Sequence, residues 1–237
     1  MKFSELYEHF FGLYGERNRY FMPDLGDRID FLAIAIGDLQ DAIRKNAHTD
    51  LIGLALARVV SRIFCIAEYF NFYTIHRLNF ANALASKYPH VCAYCKTKPC
   101  NCPGGVRPAY DLNLSHGNQD EWALRDWCNH LNELYGANNK QKGIENLINR
   151  LSKEVLEMVI LRFNMERRKI DRIEMIKEVG LELADALAWT IAVANYLEIN
   201  LEHCVLSRYG SGCWNCKAKP CVCDDFVIRQ IDWVQFK

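Results

Sequence analysis

Leu181-Glu182-Leu183-Ala184-Asp185-Ala186-Leu187-Ala188-Trp189-Thr190-Ile191-Ala192-Val193-Ala194-Asn195-Tyr196-Leu197 decides the fold. It is apolar nearly all round when wound as a helix, yet it carries two carboxylates three residues apart. A helix without a polar face belongs at the centre of a bundle. An unpaired carboxylate there is costly or protonates. No lysine or arginine lies between Lys177 and Arg208, so the compensating cation must be a residue of another helix or a bound metal ion.

Upstream, Leu147, Ile148, Leu151, Val155, Met158 and Val159 recur at three- and four-residue spacing, the mark of one apolar stripe on a helix. Glu154 and Glu157 lie on one face at its edge. Taken alone this pair reads first as part of a solvated helix. With Glu182 and Asp185 it makes an oxygen-rich nest suited to Mg²⁺ or Mn²⁺. Magnesium commonly binds substrate phosphates beside one or two protein carboxylates, which points to phosphate chemistry.

The chain also repeats itself. His9, Leu13, Tyr14, Gly15 and Asn18 recur as His130, Leu134, Tyr135, Gly136 and Asn139, each displaced by 121. Tyr88, Cys92, Cys95, Lys96, Lys98, Pro99, Cys100 and Cys102 recur at the same displacement as Tyr209, Cys213, Cys216, Lys217, Lys219, Pro220, Cys221 and Cys223. Between these anchors the best register is 116, which sets Asp38 on Glu154 and Asp41 on Glu157. Strand signals are scarce, so the expected fold is all-α: two tandem bundles of about four helices forming a pseudo-dimer, each followed by a cysteine loop. The expected divisions are 1–102, a linker at 103–123 marked by Pro103, Gly104, Gly105, Pro108 and Gly117, and 124–237. The tail from Phe226 to Lys237 is ambiguous between strand and helix.

Glu154-x-x-Glu157, 24 intervening residues, then Glu182-x-x-Asp185 resembles the signature of the all-α nucleoside triphosphate pyrophosphohydrolases, the MazG superfamily, which includes the all-α dUTPases. The resemblance spans about Leu134 to Tyr209. It implies Mg²⁺-dependent hydrolysis of a nucleoside triphosphate to the monophosphate and pyrophosphate, with water attacking the α-phosphorus. Glu154, Glu157, Glu182 and Asp185 would hold the metal, one glutamate also orienting the water. Asn195, Asn139 and Arg208 are the candidate substrate contacts, a satisfied buried amide being the plainer reading of Asn195. Two departures stand out. Lys153 occupies the place where the family often has a further acid, and the first copy keeps only Asp38-x-x-Asp41. At a displacement of 121, Glu182, Asp185 and Asn195 fall on Ser61, Phe64 and Thr74. The second copy is therefore expected to carry the chemistry.

Of 11 cysteines, eight lie in Cys92-x2-Cys95-x4-Cys100-x-Cys102 and Cys213-x2-Cys216-x4-Cys221-x-Cys223. Four thiolates in one short loop suit a closed tetrahedral Zn²⁺ site, structural rather than catalytic, giving two zinc ions per chain. An iron-sulfur cluster or disulfides are the alternatives. Lys96, Lys98, Lys217 and Lys219 would offset the thiolate charge or face phosphates. Cys65, Cys128 and Cys204 read as buried thiols. Cys128 and His130, two apart on a helix, do not face each other as a catalytic pair would need.

Twenty-nine basic and 29 acidic residues cancel, which argues against a protein coating polyanions by bulk charge. Acids and a tyrosine within Met1–Glu8 and the lack of a long uninterrupted apolar run lead to the expectation of a soluble, cytoplasmic protein with no membrane partner, either a pseudo-dimeric monomer or a homodimer. Besides the hydrolase, two other classes fit the residues: a non-catalytic nucleotide sensor or zinc-stabilised adaptor, and a nucleic-acid-binding zinc protein using aromatics such as Tyr94 and Trp214.

Overall fold

The computed structural model describes residues 1–73, 78–102, 119–167 and 170–223; most of the expected linker and the tail from Phe226 lie outside them. Among the described residues all regular structure is helical. The first four helices are α1 (Phe3–Phe21), α2 (Leu25–Arg44), α3 (Thr49–Tyr73) and α4 (Phe80–Lys87). A short 3-10 turn, Gln119–Glu121, precedes α5 (Leu124–Lys142), α6 (Ile144–Glu166), α7 (Arg172–Tyr196) and α8 (Leu201–Tyr209).

Local chemistry sets these limits. Gly143 at φ 76° ends α5 and turns directly into α6, a conformation glycine tolerates without steric cost. Asp171 Oδ1 accepts from Glu174 N at the start of α7. Asn79 and Asn200 cap α4 and α8 in the same way, each 3.0 Å from the backbone N–H three residues on. Among the described residues no helix is long and apolar enough to cross a membrane.

α3 and α7, 25 residues each, pack on one another at the centre, as their all-round apolar character requires. α1 and α2 cover α3, α5 and α6 cover α7, and α2 packs on α6. One continuous apolar core runs through both halves. The last helix of each half crosses over, so that α4 packs against α7 and α8 against α3. The cysteine loops follow them: Cys100 N donates to Leu134 O of α5, and Cys221 N to Leu13 O of α1, both at 2.8 Å. His130 Nε2 donates to Pro89 O at 3.0 Å and His9 Nε2 to Tyr209 O at 2.8 Å.

This reciprocity corrects the register of the central helices. A Cβ on Gly53 would meet Cys204 Sγ of α8, whereas one on Gly180 would meet Ala83 Cβ and Leu78 of the α4 region. Cys204 and Ala83 are themselves displaced by 121, so Gly53 corresponds to Gly180 and the displacement between α3 and α7 is 127. The counterparts of Glu182, Asp185 and Asn195 are thus Ala55, Arg58 and Glu68, not Ser61, Phe64 and Thr74, the last of which lies outside the described residues. The two halves differ in length on either side of the central helix, which no single displacement along the chain can follow.

Candidate metal centre and adjoining cleft

Glu154 and Glu157 on α6 and Glu182 on α7 bring carboxylate oxygens within 4.8 Å of one another. They converge because α6 and α7 lie side by side over most of their length and each acid sits on the facing surface. Glu154 is only 3% exposed. Trp189 Nε1 donates to its Oε1 at 3.1 Å, while its Oε2 and Glu182 Oε2 are buried without a hydrogen-bond partner. Burial, then the negative charge of Asp185, pushes the Glu154 carboxyl up to about 8. Burial also raises Glu182, against the pull of the Lys87 ammonium. Burial opposes ionisation of Glu157 too, but hydrogen bonds from Lys153 and within the cluster outweigh it and hold that carboxyl below its ordinary value.

Asp185 is engaged differently. Lys87 Nζ lies 2.5 Å from its Oδ2, Tyr88 OH donates to its Oδ1 at 2.5 Å, and both residues sit at the end of α4, in the other half of the chain. The cation that α7 lacks is thus supplied by the crossed-over helix. Lys87 is itself 4% exposed and also donates to Leu181 O at 2.9 Å.

Beyond Asp185 opens a cleft of about 760 Å³. Its walls carry the cations Lys140, Lys142 and Arg150, the rings of Tyr94, Tyr135 and Trp189, and Asn139 and Asn195. Asn195 Nδ2 donates to Cys128 O at 2.9 Å, so one side of the amide is committed to structure while the residue still lines the cleft. Arg208 does not line it. It lies on α8, over the rings of Tyr209 and Trp214 and packed toward α3, and the residue that corresponds to it beside Asp185 is Lys87. Lys87 and Tyr88 were not read from the sequence as partners of Asp185, because nothing local to Lys-Tyr-Pro reveals that α4 crosses to the other half. The repetition of Tyr88 as Tyr209 was the available clue.

The eight clustered cysteines form two compact sets, Cys92, Cys95, Cys100, Cys102 and Cys213, Cys216, Cys221, Cys223, with all four Sγ atoms of each within 4.8 Å of one another. Resolved Sγ separations are 3.6 Å (Cys92 to Cys102), 3.8 Å (Cys213 to Cys223), 3.9 Å (Cys216 to Cys221) and 3.4 Å (Cys213 to Cys221). Tetrahedral zinc with Zn–S near 2.3 Å requires sulfurs about 3.8 Å apart, and a disulfide about 2 Å. Both sets therefore have the shape of a zinc site, and none of the cysteines is disulfide-bonded. Backbone bonds repeat in each: Cys92 N to Thr97 O and Cys213 N to Ala218 O, both 3.0 Å. The first loop contributes Cys100 and Cys102 to the cleft wall. Cys65 and Cys128 are buried and Cys204 partly so, and burial raises all three thiols, as inert packing residues require.

Compared with protein-family models, curated proteins and solved structures, the chain gives no match. The functional reading therefore rests on the chemistry of the carboxylates and the cleft.

Proposed function

We propose that the chain is a Mg²⁺-dependent nucleoside triphosphate pyrophosphohydrolase whose reaction takes place where the Glu154, Glu157 and Glu182 cluster meets the cleft. The observation that carries this reading is the pair of buried, unpartnered oxygens, Glu154 Oε2 and Glu182 Oε2, in a set of converging carboxylates. Such oxygens are expensive to bury and are satisfied by a divalent ion. A donor set made only of carboxylate oxygen suits Mg²⁺ or Mn²⁺ rather than zinc.

Glu154, Glu157, Glu182 and Asp185 would hold the ion, which when bound neutralises phosphate charge and acidifies water. Trp189 fixes the orientation of Glu154 through its indole N–H. Lys140, Lys142 and Arg150 attract the polyphosphate, and the rings of Tyr94, Tyr135 and Trp189 offer faces for the base. Glu157, the more exposed of the cluster, orients the water. The oxygen of that water bonds to the α-phosphorus and one of its protons is released to solvent, while the bond from the α-phosphorus to the bridging oxygen breaks with its electron pair going to the pyrophosphate, so that monophosphate and pyrophosphate leave.

One observation favours a second reading. Lys87 neutralises Asp185 without any metal, as expected of a non-catalytic nucleotide sensor on the same fold. The discriminating experiment measures pyrophosphate release with Mg²⁺ from a panel of ordinary and modified nucleoside triphosphates. Release from at least one member, abolished by Asp185→Asn and by Glu154→Gln with the helical content unchanged, supports the hydrolase. Binding without release across the panel leaves the sensor, and an Asp185→Asn protein as active as the parent removes the proposed nest. The Cys₄ loops are proposed to hold one structural zinc each.

A further inference from the structure

The two cysteine loops share their spacing and their anchorage. In each, the third cysteine donates its backbone N–H to the first helix of the opposite half, Cys100 to Leu134 O and Cys221 to Leu13 O. The tyrosine that opens each loop packs edge-on against a tyrosine of that same helix, Tyr88 on Tyr135 with ring centres 6.2 Å apart and Tyr209 on Tyr14 at 6.1 Å. What differs is what each loop faces.

The first loop borders the cleft. Tyr94, Cys100 and Cys102 line it together with Asn138, whose Nδ2 donates to Cys100 O at 3.1 Å. Tyr88 extends the same loop to the acids, because its hydroxyl donates to Asp185 Oδ1 at 2.5 Å. The second loop meets neither feature. None of its described residues lines the cleft, and Tyr209 is 3% exposed with its ring centre 5.0 Å from that of Phe10 in the core. Where the first loop turns the ring of Tyr94 to the cleft, the second has Asn215, whose Nδ2 donates to Cys223 Sγ of its own loop at 3.3 Å.

We propose that the first cysteine loop is a wall of the nucleotide pocket whose shape depends on zinc held by Cys92, Cys95, Cys100 and Cys102, so that filling this loop and filling the cleft reinforce each other, whereas the second loop serves packing alone. The inference rests on reading the cleft as a nucleotide site. Between Tyr88 and Cys102 the chain makes turns but no helix or strand, so four bonds to one ion would be the main constraint on where Tyr94 and Cys100 stand. A wall fixed in advance spares the nucleotide the cost of ordering it. Coupling between two binding sites is reciprocal, so nucleotide must in turn hold the zinc of this loop more tightly.

Zinc release from the full, zinc-loaded chain to a chromogenic chelator, timed with and without a panel of α,β-imido nucleoside triphosphates and Mg²⁺, tests this. These analogues resist cleavage between the α- and β-phosphorus. The expected result is that an analogue which binds, as read by calorimetry, slows the release of one zinc ion about tenfold and leaves the other unchanged, a coupling of ordinary size. Cys102→Ser and Cys223→Ser, each retaining one zinc, assign the ion: the zinc left in Cys223→Ser should still be protected with nucleotide affinity unchanged, and the zinc left in Cys102→Ser should not, with affinity about tenfold lower. Tyr94→Ala should keep both ions and lower nucleotide affinity, which gives an answer even where a cysteine variant fails to fold. An analogue that binds yet slows neither ion, or both alike, overturns the proposal, as does equal weakening by the two cysteine variants. Protection of one ion without pyrophosphate release from cleavable nucleotides supports the coupling and removes only the hydrolase, while failure of the whole panel to bind overturns the nucleotide pocket and the coupling together.

Discussion

Glu154 concentrates the chemistry of the site in one side chain. Its carboxyl, raised to about 8 by burial and by Asp185, is protonated at neutral pH when no cation is present. A metal ion must displace that proton, so Mg²⁺ binding is expected to release about one proton near pH 7 and to tighten as pH rises toward 8. Calorimetry in buffers of different ionisation enthalpy reads the release, and Glu154→Gln should eliminate it. The sign for stability is opposite without metal. The folded state holds the proton more tightly than the unfolded chain, so metal-free stability falls as pH climbs from the ordinary glutamate value through about 8. Lys87 competes with metal for Asp185. Lys87→Met should therefore tighten Mg²⁺ binding while destabilising the metal-free protein by about 3–5 kcal/mol, the cost of leaving one member of a buried pair alone. Magnesium titration and thermal denaturation on the same sample check both. The carboxylate spacing was legible in the sequence because it is local to two helices. Lys87 was not, since its role depends on a contact 98 positions away along the chain.

At the scale of elements, the buried Arg28–Glu68 pair ties α2 to α3 and also reaches α1 through Asn18. Arg28 further donates from Nε to Met22 O at 3.0 Å and from Nη1 to Cys65 O at 2.6 Å, while its Nη2 is buried without a hydrogen-bond partner. Glu68→Ala should cost about 3–5 kcal/mol by leaving Arg28 buried and unpaired, measured by chemical denaturation. The loop after α4 is held on α5 partly by the neutral ring of His130, whose pKa burial lowers. Its contribution is present above the ordinary histidine value and is lost as pH falls through the depressed one. Hydrogen exchange at Cys92–Cys102 should therefore accelerate in mild acid, and His130→Asn should flatten that dependence. The all-helical class, with about four helices per half, followed from apolar periodicity and the scarcity of strand signals. The register between α3 and α7 did not, because the halves gain and lose residues at different joints while the glycine contacts that reveal the true alignment lie between distant segments.

At the scale of the whole molecule, the exchange of α4 and α8 makes the halves interdependent. Fragments 1–102 and 124–237 are each expected to lack a cooperative thermal transition alone and to regain one when co-expressed, as read by circular dichroism. Elemental analysis should find close to two zinc ions per chain, and their removal should loosen the same exchange, since each cysteine loop is docked on the opposite half through Leu13 and Leu134. The sequence alone determined what is periodic or local: an all-helical chain, its internal repetition, the four acids on two neighbouring helices, and the two sets of four cysteines. Only the tertiary structure decided which half completes which site. That choice rests on helices crossing between halves through packing of side chains far apart in the chain, and neither helical periodicity nor motif spacing carries information about such contacts.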